Sequence, residues 1–338
     1  MANTTPSFTV IGAAQIAPWL DANPDMLVKS VKQAYLQHAH GKTVNPDSYF
    51  LRFPNHPRQR IIALPASIES DDAITGIKWI SSFPENIDKG LDRASAVLII
   101  NDRHTGYPRA CLEGSLISAA RTAASAVLGA SYLHPTPKKI KRLGVIGCGP
   151  IAHNTLGLLV KLGWEIDKLC MCDLSETRIQ IFRDKSAGWV GTSYSTSLES
   201  TIRESDMVLI ATSATQPYIT SPAWFSHAPT VLHMSLRDLA PEIILAGQNI
   251  ADDVSHCLKA QTSPHLASQQ VGHHDFMAGG IADLIEQRIV PDNKQPRIFS
   301  PFGMGILDLA VAKQLLDTLS PDDKVCIDDF FPDSYSRN

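Results

Sequence analysis

The 338-residue sequence has no uninterrupted apolar run near the roughly 20 residues that a membrane span needs. Runs such as Ala96 to Ile100 and Met207 to Ala211 have the length of core strands instead. Its start, Met1 to Val10, lacks both the basic segment and the continuous apolar stretch of a secretory signal, so a cytoplasmic protein is expected. None of the six cysteines (Cys111, Cys148, Cys170, Cys172, Cys257, Cys326) forms a CxxC pair, which argues against a disulfide framework and against structural zinc. An excess of one charge is missing as well. With 30 Lys and Arg against 34 Asp and Glu, the net charge of -4 provides no footprint for nucleic acid or an anionic membrane. Internal repeats, low-complexity tracts and charge blocks are also lacking. What is present is 44% hydrophobic and 19% charged residues over a length suited to two domains, the composition of an ordinary globular protein with a packed, enzyme-like body.

Up to about Ala110, short apolar runs alternate with polar turns. Met26, Leu27, Val31, Ala34 and Tyr35 recur at helical spacing and predict a helix over Pro24 to His38. Arg60 to Leu64, Thr75 to Ile80 and Ser95 to Ile100 read as mostly antiparallel strands, making this an α+β region. Leu112 to His134 is rich in Ala, Ser and Leu, predicting one long helix. From Arg142 the pattern changes. Leu143 to Gly147, Lys168 to Asp173, Met207 to Thr212, Val231 to Ser235 and Asn249 to Asp252 are short apolar runs separated by helical lengths, as in a doubly wound parallel sheet. A last helix is expected over Gly305 to Leu319.

The strongest local signal is Leu143 to Ala152, where a strand runs into Gly147-Cys148-Gly149-Pro150-Ile151-Ala152 and then into a helix. In such a turn Gly147 permits the tight bend, Gly149 lets the backbone approach a pyrophosphate, and Ala152 allows close packing of helix on strand. Pro150 suits a first helical turn, whose N–H groups lack intrahelical partners. The next strand ends in Asp173, placed to accept hydrogen bonds from an adenosine ribose, and no Arg follows it directly. NAD is therefore expected in preference to NADP. The turns Thr212-Ser213 and Met234-Ser235-Leu236-Arg237-Asp238 end later strands of the same sheet. They read either as cofactor edges or as turn chemistry, with Asp238 as a helix cap before Pro241.

Arg121 is the lone charge in Gly114 to Pro137, so if buried it needs an anionic partner, and a ligand is one option. Lys78 shares a strand face with Gly76 and Ile80, where a partly buried ammonium can bind a carboxylate or exchange a proton. Arg52, by spacing alone, is a surface strand residue. His265, His273, His274 and Asp275 match no zinc spacing and are expected as loop residues. No Ser-His-Asp or Cys-His order stands out.

Several strings together resemble the ornithine cyclodeaminase/mu-crystallin family: Gly76 to Ile80 with Pro84 and Asn86, Ser118 to Ala124, Gly147 to Ala152, Ser235 to Asp238, and Phe299 to Asp308. The run Gly90 to Val97 with Ala110 to Ser115 resembles one branch more closely, the N-(2-amino-2-carboxyethyl)-glutamate dehydrogenases that supply 2,3-diaminopropionate for siderophores and antibiotics. The resemblance implies an α/β protein in which a Rossmann NAD-binding domain (131–299) is inserted into an α+β domain (1–130 plus 300–338) that binds substrate and forms a homodimer. It implies that Arg52, Lys78 and Arg121 hold carboxylates, and that Asp238 is the acid/base, with Lys78 the second catalytic candidate. NAD would be held by Gly147, Gly149, Pro150, Ile151, Asp173, Thr212, Ser213, Met234, Ser235 and Leu236, with Arg121 and Thr122. A substrate with three carboxylates makes Arg93 and Arg237 additional partners.

Two other readings stay open. One is an ornithine cyclodeaminase, or an alanine or cyclic-imine reductase; the other is a non-catalytic binding protein of mu-crystallin type. Cyclodeaminases carry Gly-Gly-Asp followed four residues later by Lys, whereas this chain has Leu236-Arg237-Asp238 and Glu242.

Overall fold

The computed structural model describes residues 6–70 and 73–332; the first five residues, part of the stretch read for a signal, lie outside it. Contacts divide the chain into two units, one formed by residues up to Arg121 together with those from Met304 onward, the other by Thr122–Gly303. The first division falls inside the helix Ser115–Leu133, not at its end.

In the first unit, the strands run in the order Val325–Ile327, Phe8–Ile11, Pro108–Glu113, Ala94–Asn101, Ile74–Ser82, His56–Ile68 and Thr43–Val44, with Tyr49–Phe53 also paired to His56–Ile68. All pairings are antiparallel except that of Phe8–Ile11 with Pro108–Glu113. Alternation sorts the faces. In Ile74–Ser82, the residues Ile74, Gly76, Lys78 and Ser82 are buried, whereas Trp79 is exposed. Helix Gly305–Thr318 packs on the strands around Lys78 and against helix Pro24–Ala39. Its residues Gly305 to Ala312 are all buried, and all apolar except for the first-turn Asp308, while Lys313, Gln314 and Asp317 lie on the less covered last turns.

The long helix begins later than its composition predicts. Leu112 and Glu113 belong to the strand Pro108–Glu113, and Glu113 turns back to accept the backbone N–H groups of Ser115 and Leu116 at 2.6 and 3.0 Å, capping the helix that follows. Ser115–Leu133 is long and apolar enough by composition to cross a membrane, which run length alone does not reveal. However, 61% of its apolar window is buried, as in a core helix.

The second unit holds eight parallel strands in the order Thr192–Ser195, Glu165–Cys172, Lys139–Ile146, Met207–Ile210, Thr230–His233, Arg297–Ser300, Gln248–Ala251 and Met277–Gly280. The chain winds outward from Lys139–Ile146 in one direction and then resumes on its other side at Met207–Ile210. This makes the edge between those two strands a topological switch point, where doubly wound sheets bind ligands. Thr192–Ser195 and Met277–Gly280 escape the sequence reading because they are polar or glycine-rich. The buried Arg297–Ser300 escapes because it is only four residues long.

Candidate functional sites: a glycine turn and a buried aspartate in one unit, a buried lysine in the other

The glycine turn lies at the switch point of the second unit. Gly147 has φ +90°, and a Cβ there would lie 2.6 Å from the carbonyl oxygen of Ala211, so only glycine fits. Gly149 differs: a Cβ would meet nothing within 4 Å. It stands at the N-cap of helix Pro150–Lys161 without a side-chain cap, leaving the first-turn N–H groups of Ile151 and its neighbours facing open space. Asp173 closes the turn. Its carboxylate accepts the backbone N–H of Cys148 at 2.7 Å and of Ser175 at 2.9 Å, leaving lone pairs for further donors. Beside it, Leu174 is fully exposed, a residue that the sequence reading did not single out. Room for a phosphate at a helix start, with an acceptor at the adjacent strand end, fits a dinucleotide.

Thr212 and Ser213 follow Met207–Ile210, and Met234, Ser235 and Leu236 follow Thr230–His233, so both turns lie on the same carboxyl edge. Asp238 has no exposed surface. It does not cap the next helix, whose N-cap is Ala240, and this removes the cap reading. Its Oδ1 accepts the Thr212 hydroxyl, while its Oδ2 faces His233 Nε2 at 3.3 Å. On the other ring edge, His233 Nδ1 lies 3.1 Å from Ser300 Oγ. Burial pushes the Asp238 pKa up, but the hydrogen bond and charge of His233, with the hydroxyls of Ser235 and Thr212, hold it below the usual carboxylate range. The half-buried Thr212 hydroxyl is thus a route from this buried carboxylate toward the edge. His233 and Ser300 were missed, because the Ser, His and Asp of this chain are brought together only by neighbouring strands of the sheet.

In the first unit, Lys78 is fully buried, and its Nζ bonds Asp308 Oδ2 at 2.6 Å and Ser118 Oγ at 3.2 Å. Arg121, one helical turn after Ser118, places Nε 3.4 Å from Asp308 Oδ1. Gly305 makes this possible: a Cβ there would lie 3.1 Å from the Ala66 Cβ and the Leu64 oxygen, so its absence lets the helix start press against the strand. Burial draws the Lys78 pKa down to about 8, with Asp308 opposing and Arg121 adding to the drop. Asp308 is the other missed residue. Its signal in the sequence is a lone acid within the apolar run Gly305 to Ala312 that opens the helix.

Other expected residues have different settings. Arg52 is exposed, with its guanidinium 5.0 Å from the Phe50 ring centre. Arg93 Nη1 donates to Ser82 Oγ at 3.0 Å. Arg237, expected as a carboxylate partner, instead donates to the backbone carbonyls of Gln261 at 2.8 Å and of Ala260, which fixes that loop. Thr122 follows Arg121 on the helix and is half-buried. His265 lies in helix Ser263–Val271, not in a loop, and receives the Gln261 N–H at 3.1 Å. Among the described residues, no group of three or more His, Cys, Asp or Glu is arranged to hold a metal ion.

Residues 20–322 match the ornithine cyclodeaminase/mu-crystallin family. The chain belongs to that family. It is 30% identical over 299 residues, 84% of this chain and 87% of the relative, to the N-((2S)-2-amino-2-carboxyethyl)-L-glutamate dehydrogenase of Staphylococcus aureus. Its fold is that of the Thermococcus litoralis Δ1-pyrroline-2-carboxylate reductase solved with NADH and L-proline, at a TM-score of 0.83, 22% identity, and coverage of 92% of this chain and 97% of that one. An archaeal alanine dehydrogenase dimer with bound NAD matches equally, at a TM-score of 0.83, 23% identity, and coverage of 96% and 100%. These likenesses agree with the α/β architecture of this chain and its parallel sheet.

Proposed function

We propose that this family member is an NAD-dependent dehydrogenase acting on a CH–NH bond of an amino-acid derivative, with N-(2-amino-2-carboxyethyl)-glutamate as substrate and 2-oxoglutarate and 2,3-diaminopropionate as products. The observation that carries the reading is Lys78, a buried amine whose pKa of about 8 lets it take and return a proton near neutral pH. Similarity to the staphylococcal dehydrogenase supports the substrate; a place in siderophore or antibiotic precursor synthesis is part of the same proposal.

Bound NAD supplies the hydride acceptor. Gly147, Gly149, Pro150 and Ile151 hold its pyrophosphate and Asp173 its ribose hydroxyls; Thr212, Ser213, Met234, Ser235, Leu236, Arg121 and Thr122 complete its binding. Arg52 and Arg121 hold substrate carboxylates, with Arg93 a further partner, and Lys78 serves as the base. The free base of Lys78 takes the amine proton as hydride leaves the α-carbon, and the C–N single bond becomes C=N. Water adds to that carbon, its proton passing through the Thr212 hydroxyl to Asp238, and the C–N bond then breaks with the nitrogen leaving as the protonated amine. One substrate, one NAD and one water give 2-oxoglutarate, 2,3-diaminopropionate, NADH and one proton.

The chain also pairs with itself in this reading. Tyr49, Ala63, Trp79 and Val97 form one row across the sheet of the first unit, and Tyr49, Trp79 and Val97 are exposed, a face that a second copy would cover. A cytoplasmic setting suits six free thiols. Incubation with NAD and N-(2-amino-2-carboxyethyl)-glutamate should yield NADH, 2-oxoglutarate and 2,3-diaminopropionate in equal amounts. Proline and ammonia from ornithine without net NADH would instead make the protein a cyclodeaminase, and cofactor binding with no turnover of either amine would make it a ligand-binding protein. Light scattering of the purified protein should give twice the chain mass.

A further inference from the structure

Three buried side chains of the second unit meet at the carboxyl edge of its sheet, and the reaction as described above uses only one of them. His233 ends the strand Thr230–His233, Ser300 ends the adjacent strand Arg297–Ser300, and Asp238 follows His233 by one turn of chain. His233 and Asp238 have no exposed surface, and Ser300 is also buried. The imidazole bridges the other two: Nδ1 lies 3.1 Å from Ser300 Oγ, and Nε2 lies 3.3 Å from Asp238 Oδ2. In a hydrolytic triad the ring points the other way, with the carboxylate on Nδ1 and the serine on Nε2. Ser300 is therefore a partner of the ring and not a nucleophile.

Nε2 faces an acceptor and a donor at once. The acceptor is the carboxylate oxygen Oδ2, and the donor is the backbone N–H of Asp238 at 3.4 Å. A bare Nε2 would set its lone pair against a buried carboxylate in return for one long N–H contact. A proton on Nε2 instead makes a charge-assisted bond, roughly twice as strong as a neutral one. Ser300 suits either state of Nδ1, because a hydroxyl donates to a bare nitrogen and accepts from a protonated one. The main chain of Asp238 is held as well: its carbonyl accepts the backbone N–H groups of Tyr218 and Ile219 at 3.1 and 3.0 Å. With Oδ2 engaged by the ring, Oδ1 is the edge that meets the Thr212 hydroxyl.

We propose that His233 is a positioning residue for Asp238: a proton on Nε2 ties Oδ2, keeps the group a carboxylate, and turns its basic edge to Thr212. Without that donor, burial favours the uncharged acid, which can take no proton from the water that attacks the imine. The inference deepens the dehydrogenase reading and rests on it for the work that Asp238 does.

The test pairs two amide variants with a direct view of the proton. The side-chain nitrogen of Gln reaches the place of Nε2, and that of Asn only the place of Nδ1. His233→Asn should lower kcat for oxidation of N-(2-amino-2-carboxyethyl)-glutamate by about ten- to a hundredfold, the range for a lost bond to a charged group, with KM and NAD affinity within about threefold of wild type. His233→Gln should recover most of kcat, which a role in packing alone would not predict. Neutron diffraction from crystals of the full chain with NADH, exchanged into heavy water, should show a deuteron on His233 Nε2. A bare Nε2 overturns the proposal, and so does wild-type kcat in the Asn variant or an equal loss in the two folded variants. If neither variant folds, the neutron map decides. A wild type that carries the deuteron yet fails to oxidise N-(2-amino-2-carboxyethyl)-glutamate would refute the substrate and uphold the arrangement at Asp238.

Discussion

Replacing Lys78 by Met removes the ammonium that bonds Asp308 at 2.6 Å and leaves that carboxylate, which has no exposed surface, with Arg121 at 3.4 Å. Breaking a buried pair from one side costs about 3–5 kcal/mol, so the variant should be less stable at pH 7. The pH dependence of the gap is more diagnostic than its size. Lys78 is drawn from 10.5 to about 8 on folding. Between those values the unfolded chain holds a proton that the folded chain has lost, so wild-type stability rises with pH through this window. A shift of that size corresponds to about 3 kcal/mol, of which about 2 kcal/mol should be gained between pH 7 and pH 10. The Lys78→Met side chain does not titrate and contributes no such gain. Urea unfolding of both proteins at pH 7 and pH 10 should therefore show the gap widening by about 2 kcal/mol, with other titrations cancelling in the difference. In initial-rate assays, wild-type kcat/KM should rise through pH 8 as the free base forms, and the variant should lose that limb along with ten- to a hundredfold or more of its activity. A gap that does not change with pH, or a limb that survives in the variant, would refute both the burial argument and the proton-carrying role.

The glycine turn supplies a paired prediction: Gly149→Ala should fold with a melting temperature near wild type and bind NAD weakly, because its Cβ enters open space at the helix start. Gly147→Ala should lose about 1 kcal/mol or more of stability, since it combines φ +90° with a contact of 2.6 Å to a carbonyl oxygen. Asp173→Ala should weaken NAD and reduce its advantage over NADP in calorimetric titrations with both cofactors; an unchanged preference would remove Asp173 from the ribose site. Asp238→Asn should retain NAD affinity and lose most turnover, because an amide cannot take the proton passed on by Thr212. Full activity in that variant would leave Asp238 as a purely structural anchor of the turn at Thr212.

The sequence reveals what is local. Strand, turn and helix around Gly147 occupy ten consecutive residues whose types each answer one steric demand, and Asp173 ends the very next strand. Lys78 was visible as a charge on an apolar face. Its partner was not, because Asp308 lies 230 residues away and is brought there by the packing of helix Gly305–Thr318 on the sheet, closest at Gly305 against Leu64 and Ala66. His233 and Ser300 are hidden for the same reason, as neighbours across strands separated in sequence by two further strands and several helices. Leu112 and Glu113 read as helix because their composition continues that of the helix, and pairing of Leu112 with Ile11 and Leu98 and of Glu113 with Val97 decides otherwise. Arg237 illustrates another limit: its charge suggested a ligand, and its bonds to the carbonyls of Gln261 and Ala260 could not be read from the sequence.

The buried contact between Lys78 and Asp308 also sets an order of events during synthesis. At about 5–20 residues per second, a ribosome takes roughly 10–50 s to advance from Lys78 to its partner 230 residues later. Through that interval the second unit, contiguous from Thr122 to Gly303, emerges whole, whereas the sheet of the first unit waits for the helix Gly305–Thr318 to cover its lysine-bearing face. The insertion thus makes the unit that begins the chain the last to be finished, and leaves an incompletely covered sheet as the nascent species that chaperones would meet.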